Sequence, residues 1–197
     1  MLDIQYISVQ SHINNLKSKI SKTIAIMYKV KPLLDKKSLY MLYCALILPY
    51  INYCVEVWGN NFKSTIEPIF LLQKKAIRIA NHADYLAPTN PLFIKLNTLK
   101  LHDIVDMNTA IMMYKAHNHL LPCCVQELFR PRESKYNLRG TAIFKQTHSR
   151  INIKAKCVSV RGVKLWNSLD DEQKNCVSLI KFKKMYKNRT INKYKTL

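Results

Sequence analysis

Glycine is nearly absent from this chain of 197 residues, which has three. A loop that cradles phosphate needs several glycines close together, so that backbone amides can converge without Cβ interference; a nucleotide-binding loop of that type is excluded. Acidic residues are also scarce, with 12 Asp and Glu against 32 Lys and Arg, for a formal net charge of +20. That excess makes a free monomer self-repelling and calls for a polyanion. Nucleic acid is the usual one, and an anionic membrane surface is the competing partner. The N-terminus MLDIQYISVQSH lacks a basic stretch followed by an apolar core, so no secretory signal is read and an intracellular protein is expected.

Long apolar runs are equally rare. The uncharged segment from Leu39 to Val55 reaches the lower limit for a membrane span. Pro49, Asn52 and four tyrosines argue against the bilayer centre, and Glu56 ends the run at once. A helix buried on all sides of a globular core also reads as apolar all round, and that is the expectation here. The six cysteines form no disulfide framework: Cys44 and Cys54 lie in apolar helical sequence, Cys123 and Cys124 are adjacent, and Cys176 stands alone. Idle or buried thiols in a reducing compartment fit this pattern. A metal site would have to recruit His117, His119, Cys123 and Cys124 with His148 or Cys157, yet no C-x2-C or H-x3-5-H pair accompanies them. No metal and no cofactor are expected.

What is present is helical periodicity. Apolar residues are 48% of the chain, enough for a core, and they predict a mainly α fold, a bundle of about five to six helices with a basic, partly extended C-terminal segment. Ile13, Leu16, Ile20, Ile24, Met27 and Val30 form one stripe, with Lys17, Lys22 and Lys29 off it and Pro32 closing the helix. Asp35 is a candidate N-cap for the next helix, which Pro49 should kink or break. A third helix from Ser64 or Thr65 carries Ile69, Leu72, Ala76 and Ile79. A short one follows Thr89, and a longer one from about Asp103 uses Ile104, Met107, Ile111 and Tyr114. From Cys123 to Arg161 the periodicity fades into basic, turn-forming sequence, where Ile151 and Ile153 alternate with polar neighbours like a short strand. A last helix is expected from about Asp170 to Lys187, with Cys176, Ile180 and Lys183 as its stripe and a fraying basic tail after it.

Several motifs follow one another in order along the chain. Leu42, Ala45, Leu46, Ile47, Pro49, Tyr50, Tyr53, Cys54, Trp58 and Gly59 make the first. Leu72, Gln73, Lys74, Lys75, Ala76, Ile77, Arg78 and Ile79 make the second. Pro91, Leu92, Phe93, Leu96, Leu99, Lys100 and Leu101 follow, then Met113, Tyr114, Lys115, Asn118, Leu120, Leu121 and Pro122. Tyr136, Asn137 and Arg139 come next, followed by Gly162, Lys164, Leu165, Trp166, Asn167 and Leu169, and finally Ser178, Leu179, Phe182 and Lys183. This series resembles the region that follows the polymerase core in LINE-type (non-long-terminal-repeat) retrotransposon reverse transcriptases, the jockey-like group above all. Ser8, His12 and Ile13 extend the likeness toward the N-terminus. Val9 stands where the family has tryptophan, and Asp170 where it has proline.

The resemblance implies a piece of an RNA-directed DNA polymerase. Residues 1–11 would be a strand or loop stub of the missing core, 12–122 a helical thumb-like domain, 123–161 a basic linker or arm, and 162–197 a C-terminal helical segment. The family holds two metals with a YxDD loop and an upstream aspartate, and an in-line phosphoryl displacement cannot proceed without those carboxylates. No YxDD occurs here, and the only adjacent aspartates, Asp170 and Asp171, read as the opening of a helix. No catalytic residue and no enzymatic activity are therefore expected. In the family this region grips template and primer, which implies non-specific contacts with RNA or DNA backbone and no small-molecule substrate. The candidate contacts are Lys74, Lys75 and Arg78 on one side of the third helix, with Leu71 intruding among them. Arg139 and Arg161–Lys164 join them, where cations alternate with aromatics in KYNLRG and VRGVKLW. An inert relic, a basic helical interaction module and a membrane-associated protein are the alternatives.

Overall fold

No glycine or proline interrupts the chain from Leu2 to Lys31, so a helix once nucleated can propagate through it. The computed structural model describes residues 2–132 and 144–195 and begins with that helix, α1 (Leu2–Val30). The expected strand or loop around Ile4–Ser8 is therefore helix. Ile13, Leu16, Ile20, Ile24 and Met27 are buried as their spacing requires, and Val30 is half-buried.

α2 (Lys36–Leu46) starts at Asp35, whose side chain accepts a hydrogen bond from the Ser38 amide at 3.2 Å. This bond to the N3 amide is an N-cap, and the Ser38 side chain first, with its amide second, draws the Asp35 carboxyl below its ordinary pKa. Pro49 has no amide hydrogen, and the helix breaks beside it at Ile47. α3 (Leu48–Asn52) and α4 (Val55–Trp58) complete the segment, joined through Cys54 in the left-handed region at φ 47°. The 39–55 stretch is thus not one helix buried all round. Leu39, Tyr43, Ile47, Ile51 and Val55 point inward, while Met41, Tyr50 and Tyr53 are exposed. Among the described residues no helix is long and apolar enough to cross a membrane.

α5 (Lys63–Ala80) carries α1 and α2 against it. Short α6 (Asn90–Lys95) follows Thr89, and α7 (Leu101–His117) begins two residues before the expected Asp103. α8 (Cys123–Gln126), α9 (Asn152–Lys156), α10 (Val158–Asn167), α11 (Asp171–Lys174) and α12 (Leu179–Lys195) complete the mainly α fold. More helices occur than the five or six expected, and the surplus consists of five segments of four or five residues and the ten-residue α10.

The strand proposed at Ile151 and Ile153 is instead α9, with both side chains exposed. Two alternating residues with no partner strand have no ladder to join. Among the described residues the only extended pairing is the isolated bridge between Pro131 and Phe144. The expected last helix is two, and the buried stripe of α12 is Phe182, Tyr186, Ile191 and Tyr194; of the expected stripe Cys176 is buried, just before α12, while Ile180 is 80% exposed and Lys183 is exposed. The tail expected to fray stays helical to Lys195, because Tyr194 packs and hydrogen-bonds.

The chain forms two compact units, residues 1–104 with 190–197, and residues 105–189. In the first, Gln73 is fully buried. Its Nε2 donates to the Tyr43 hydroxyl and the Leu99 carbonyl, both at 3.0 Å, and its Oε1 accepts from the Leu101 amide at 2.8 Å. One side chain thereby ties α2, α5 and the start of α7 together. Burial pushes the Tyr43 phenol far above its ordinary pKa, so it stays a neutral partner. Leu72, expected in the core, is only half-buried, since the inward face of α5 is centred on Ile66, Ile69, Gln73, Ala76 and Ile77.

The second unit is built around rings. Tyr114, Phe129, Phe144, Trp166, Phe182 and Tyr186 are buried together. Tyr114 stacks on Phe182 with centroids 4.9 Å apart, and its hydroxyl donates to the Cys176 carbonyl at 2.8 Å. Gly162 lets α10 approach α7: a Cβ there would lie 3.0 Å from Met113 Sδ and 3.4 Å from Thr109. Met107 and Met112 fill the margins of this core, as their flexible side chains suggest.

Candidate nucleic-acid interface

The residues of the motif series are mostly structural. Trp58 is buried and its indole donates to the Tyr53 carbonyl at 2.8 Å; Asn118 donates to the Tyr114 carbonyl at 2.8 Å and closes α7. Asn167 reaches the Phe144 carbonyl at 3.3 Å. These positions hold the fold, whereas Lys75 and Lys164 of the same series are exposed.

On α5 the three expected cations have different surroundings. Lys75 is exposed. Lys74 sits over the Phe70 ring, 4.1 Å from its centroid, and Arg78 Nε donates to the Ala87 carbonyl at 2.9 Å. Arg78 therefore pins the 81–89 loop, and reversing its charge would disturb more than a surface. Lys100, a member of the motif series, lies just before α7. Its ammonium lies 4.1 Å from the Tyr194 ring centroid, and its backbone amide donates to the Tyr194 hydroxyl at 3.1 Å. The Tyr194 hydroxyl in turn donates to Asp103. Partial burial lowers the Lys100 pKa; Asp103 opposes that shift and the charge of Lys74 adds to it. Two ammonium groups are thus held on aromatic faces, near enough to feel one another. Beside them His102 packs edge-on to Phe70 with centroids 5.0 Å apart and lies 3.7 Å from Glu67.

In the second unit Lys164 is exposed on α10, whereas Arg161 is engaged with Asp106 at 2.5 Å, linking α10 to α7. Arg139 lies outside the described residues. Sequence reasoning passed over the densest basic element. Between Leu179 and Lys195 there are seven Lys and Arg and no Asp or Glu, and Lys181, Lys183 and Lys184 are exposed. That run was legible as an unbroken absence of acid. Arg189 on the same helix is paired with Asp170 and with Gln173 Oε1 at 3.1 Å, so Asp170 serves an ion pair at the opening of α11.

No grouping of three His, Cys, Asp or Glu suited to a metal occurs among the described residues. His119, Cys123, Gln126 and Arg130 line an open groove of about 530 Å³. All six cysteines are unbridged, and only Cys176 is buried. His117, at the end of α7, has its pKa lowered by burial and by His119.

No family model, curated protein or solved structure matches the chain. The likeness to LINE-type reverse transcriptases rests on the motif series alone.

Proposed function

We propose that the chain is a non-catalytic fragment of a LINE-type reverse transcriptase, the region after the polymerase core, that binds the RNA or DNA backbone without sequence preference. The observation that carries this reading is the pair Lys74 and Lys100, each ammonium 4.1 Å from an aromatic centroid. Two cations held on aromatic rings have lost part of their rotamer freedom already, and the Asp103 carboxylate near Lys100 is engaged by the Tyr194 hydroxyl, so a phosphate between or beside them meets a prepared charge. Exposed Lys75 on α5 adds a third cation to the same unit. Exposed Lys164, Lys181 and Lys184 supply charge in the other.

Neutralising several phosphates releases condensed counterions, so affinity should fall by orders of magnitude between low and physiological salt. The test is anisotropy titration of labelled RNA and DNA across salt concentrations, alongside primer extension with Mg2+ or Mn2+. Steep salt dependence with little discrimination between unrelated sequences, and no extension, is expected. Extension that survives repurification, or affinity indifferent to salt, would overturn the reading.

A further inference from the structure

The tyrosines of the 40–53 segment divide by direction. Tyr40 and Tyr43 turn inward, where the Tyr40 hydroxyl is 2.7 Å from that of Thr98 and Tyr43 meets Gln73. Tyr50 on α3 and Tyr53 at its C-cap turn outward and are 40% and 68% exposed. Three residues apart on a helical turn, their Cβ atoms are about 5–6 Å from one another. That spacing suits adjacent bases of a partly extended strand. Lys19 of α1 stands 5.6 Å from the Tyr50 centroid, within cation–π range, and Lys22 lies one turn further along α1.

Charge on the α1 side of these rings has one sign. From Ile4 to Leu34 there is no acidic residue, and Lys17, Lys19, Lys22 and Lys29 are all exposed on α1. The carboxylates that bracket the segment in sequence are Asp35, occupied in capping α2, and Glu56 on α4. A second copy of a chain with net charge +20 would be repelled from such a face, whereas a polyanion that also offers flat rings is attracted to both parts of it.

We propose that Tyr50 and Tyr53, with Lys19 and Lys22, form a platform on which consecutive bases of a single-stranded nucleic acid stack while its phosphates meet the two lysines. Duplex bases are already stacked on each other and cannot use the rings, so the platform selects single strands. The inference rests on the proposed nucleic-acid binding but concerns other residues than Lys74 and Lys100, and it adds a strandedness preference that backbone charge alone does not give.

The test uses the full chain with a labelled twelve-nucleotide single strand and a blunt duplex of the same length, at one salt concentration. Y50A/Y53A is expected to weaken single-strand binding by about tenfold or more, since each stacked base contributes enough for several-fold. Its duplex affinity and circular dichroism should stay unchanged, and Y50F/Y53F, which keeps the rings, should bind as the parent does. Unchanged single-strand binding by Y50A/Y53A, with salt-dependent binding intact, overturns the platform and leaves the backbone reading standing. An equal loss on single strand and duplex also overturns it. Failure of the parent chain to bind either form overturns both. A concentration-dependent dimer in sedimentation that Y50A/Y53A abolishes would assign the face to self-association instead.

Discussion

The two units reach a packed interior by different means. In residues 1–104 with 190–197, long helices lay aliphatic stripes against α5, and a single polar side chain, Gln73, joins three elements at the centre. In residues 105–189, rings from α7, α10, α12 and the intervening loops meet around Trp166. A stripe is a periodic signal carried by one helix. A cluster of rings is assembled from single residues far apart in sequence, and no window of the chain displays it.

The largest expected effect falls on the ring cluster. Trp166→Ala should cost about 3–5 kcal/mol, the range for emptying a large aromatic site, and hydrogen exchange should rise first across residues 110–186. Exchange rising equally across α1 and α5 would show one cooperative core rather than two. Gln73→Leu tests the first unit. The substitution leaves the Leu101 amide, the Leu99 carbonyl and the Tyr43 hydroxyl short of partners, and a loss of about 3 kcal/mol by urea titration is expected. A neutral result would mean that the node relaxes onto water.

Gly162→Leu should cost about 1–3 kcal/mol by overpacking against Met113 and Thr109, and Met113→Ala should return part of it. The smallest effect concerns His117. Its pKa in the folded chain lies below the ordinary 6.5, so the unfolded chain binds more protons as pH falls. Its contribution to stability is present above pH 6.5 and is lost as pH drops through the folded value. Melting profiles between pH 7.5 and 5 should show that slope reduced in His117→Gln.

How much was legible follows the same division. The α1 stripe, the Asp35 cap and the break at Pro49 were readable, because each rests on residues adjacent in sequence or on one face of a helix. The split between inward Tyr43 and outward Tyr50 was not, because an uncharged run hides which apolar residues find a neighbour. Placing Leu72 in the core stripe failed for a related reason, since Gln73, which that stripe omits, takes the inward position. Hydrophobicity ranks a glutamine outside, while three backbone and hydroxyl partners can satisfy it inside. The tail was expected to fray on composition, yet Tyr194 anchors it through Lys100 and Asp103, more than ninety residues away in the chain. At the candidate interface, Lys75 and Lys164 are exposed as read, while Arg78 and Arg161 proved to be engaged with Ala87 and Asp106. Charge counts do not reveal such partners.

The salt dependence of RNA affinity for the parent chain and for a variant with Lys74, Lys75 and Lys100 all changed to Gln bears most closely on the proposed binding. Three lost phosphate contacts should flatten the slope of log K against log salt by up to ~3 units and weaken binding about equally for unrelated sequences. An unaltered slope in a folded variant would contradict the assignment of phosphate contacts to this part of the first unit.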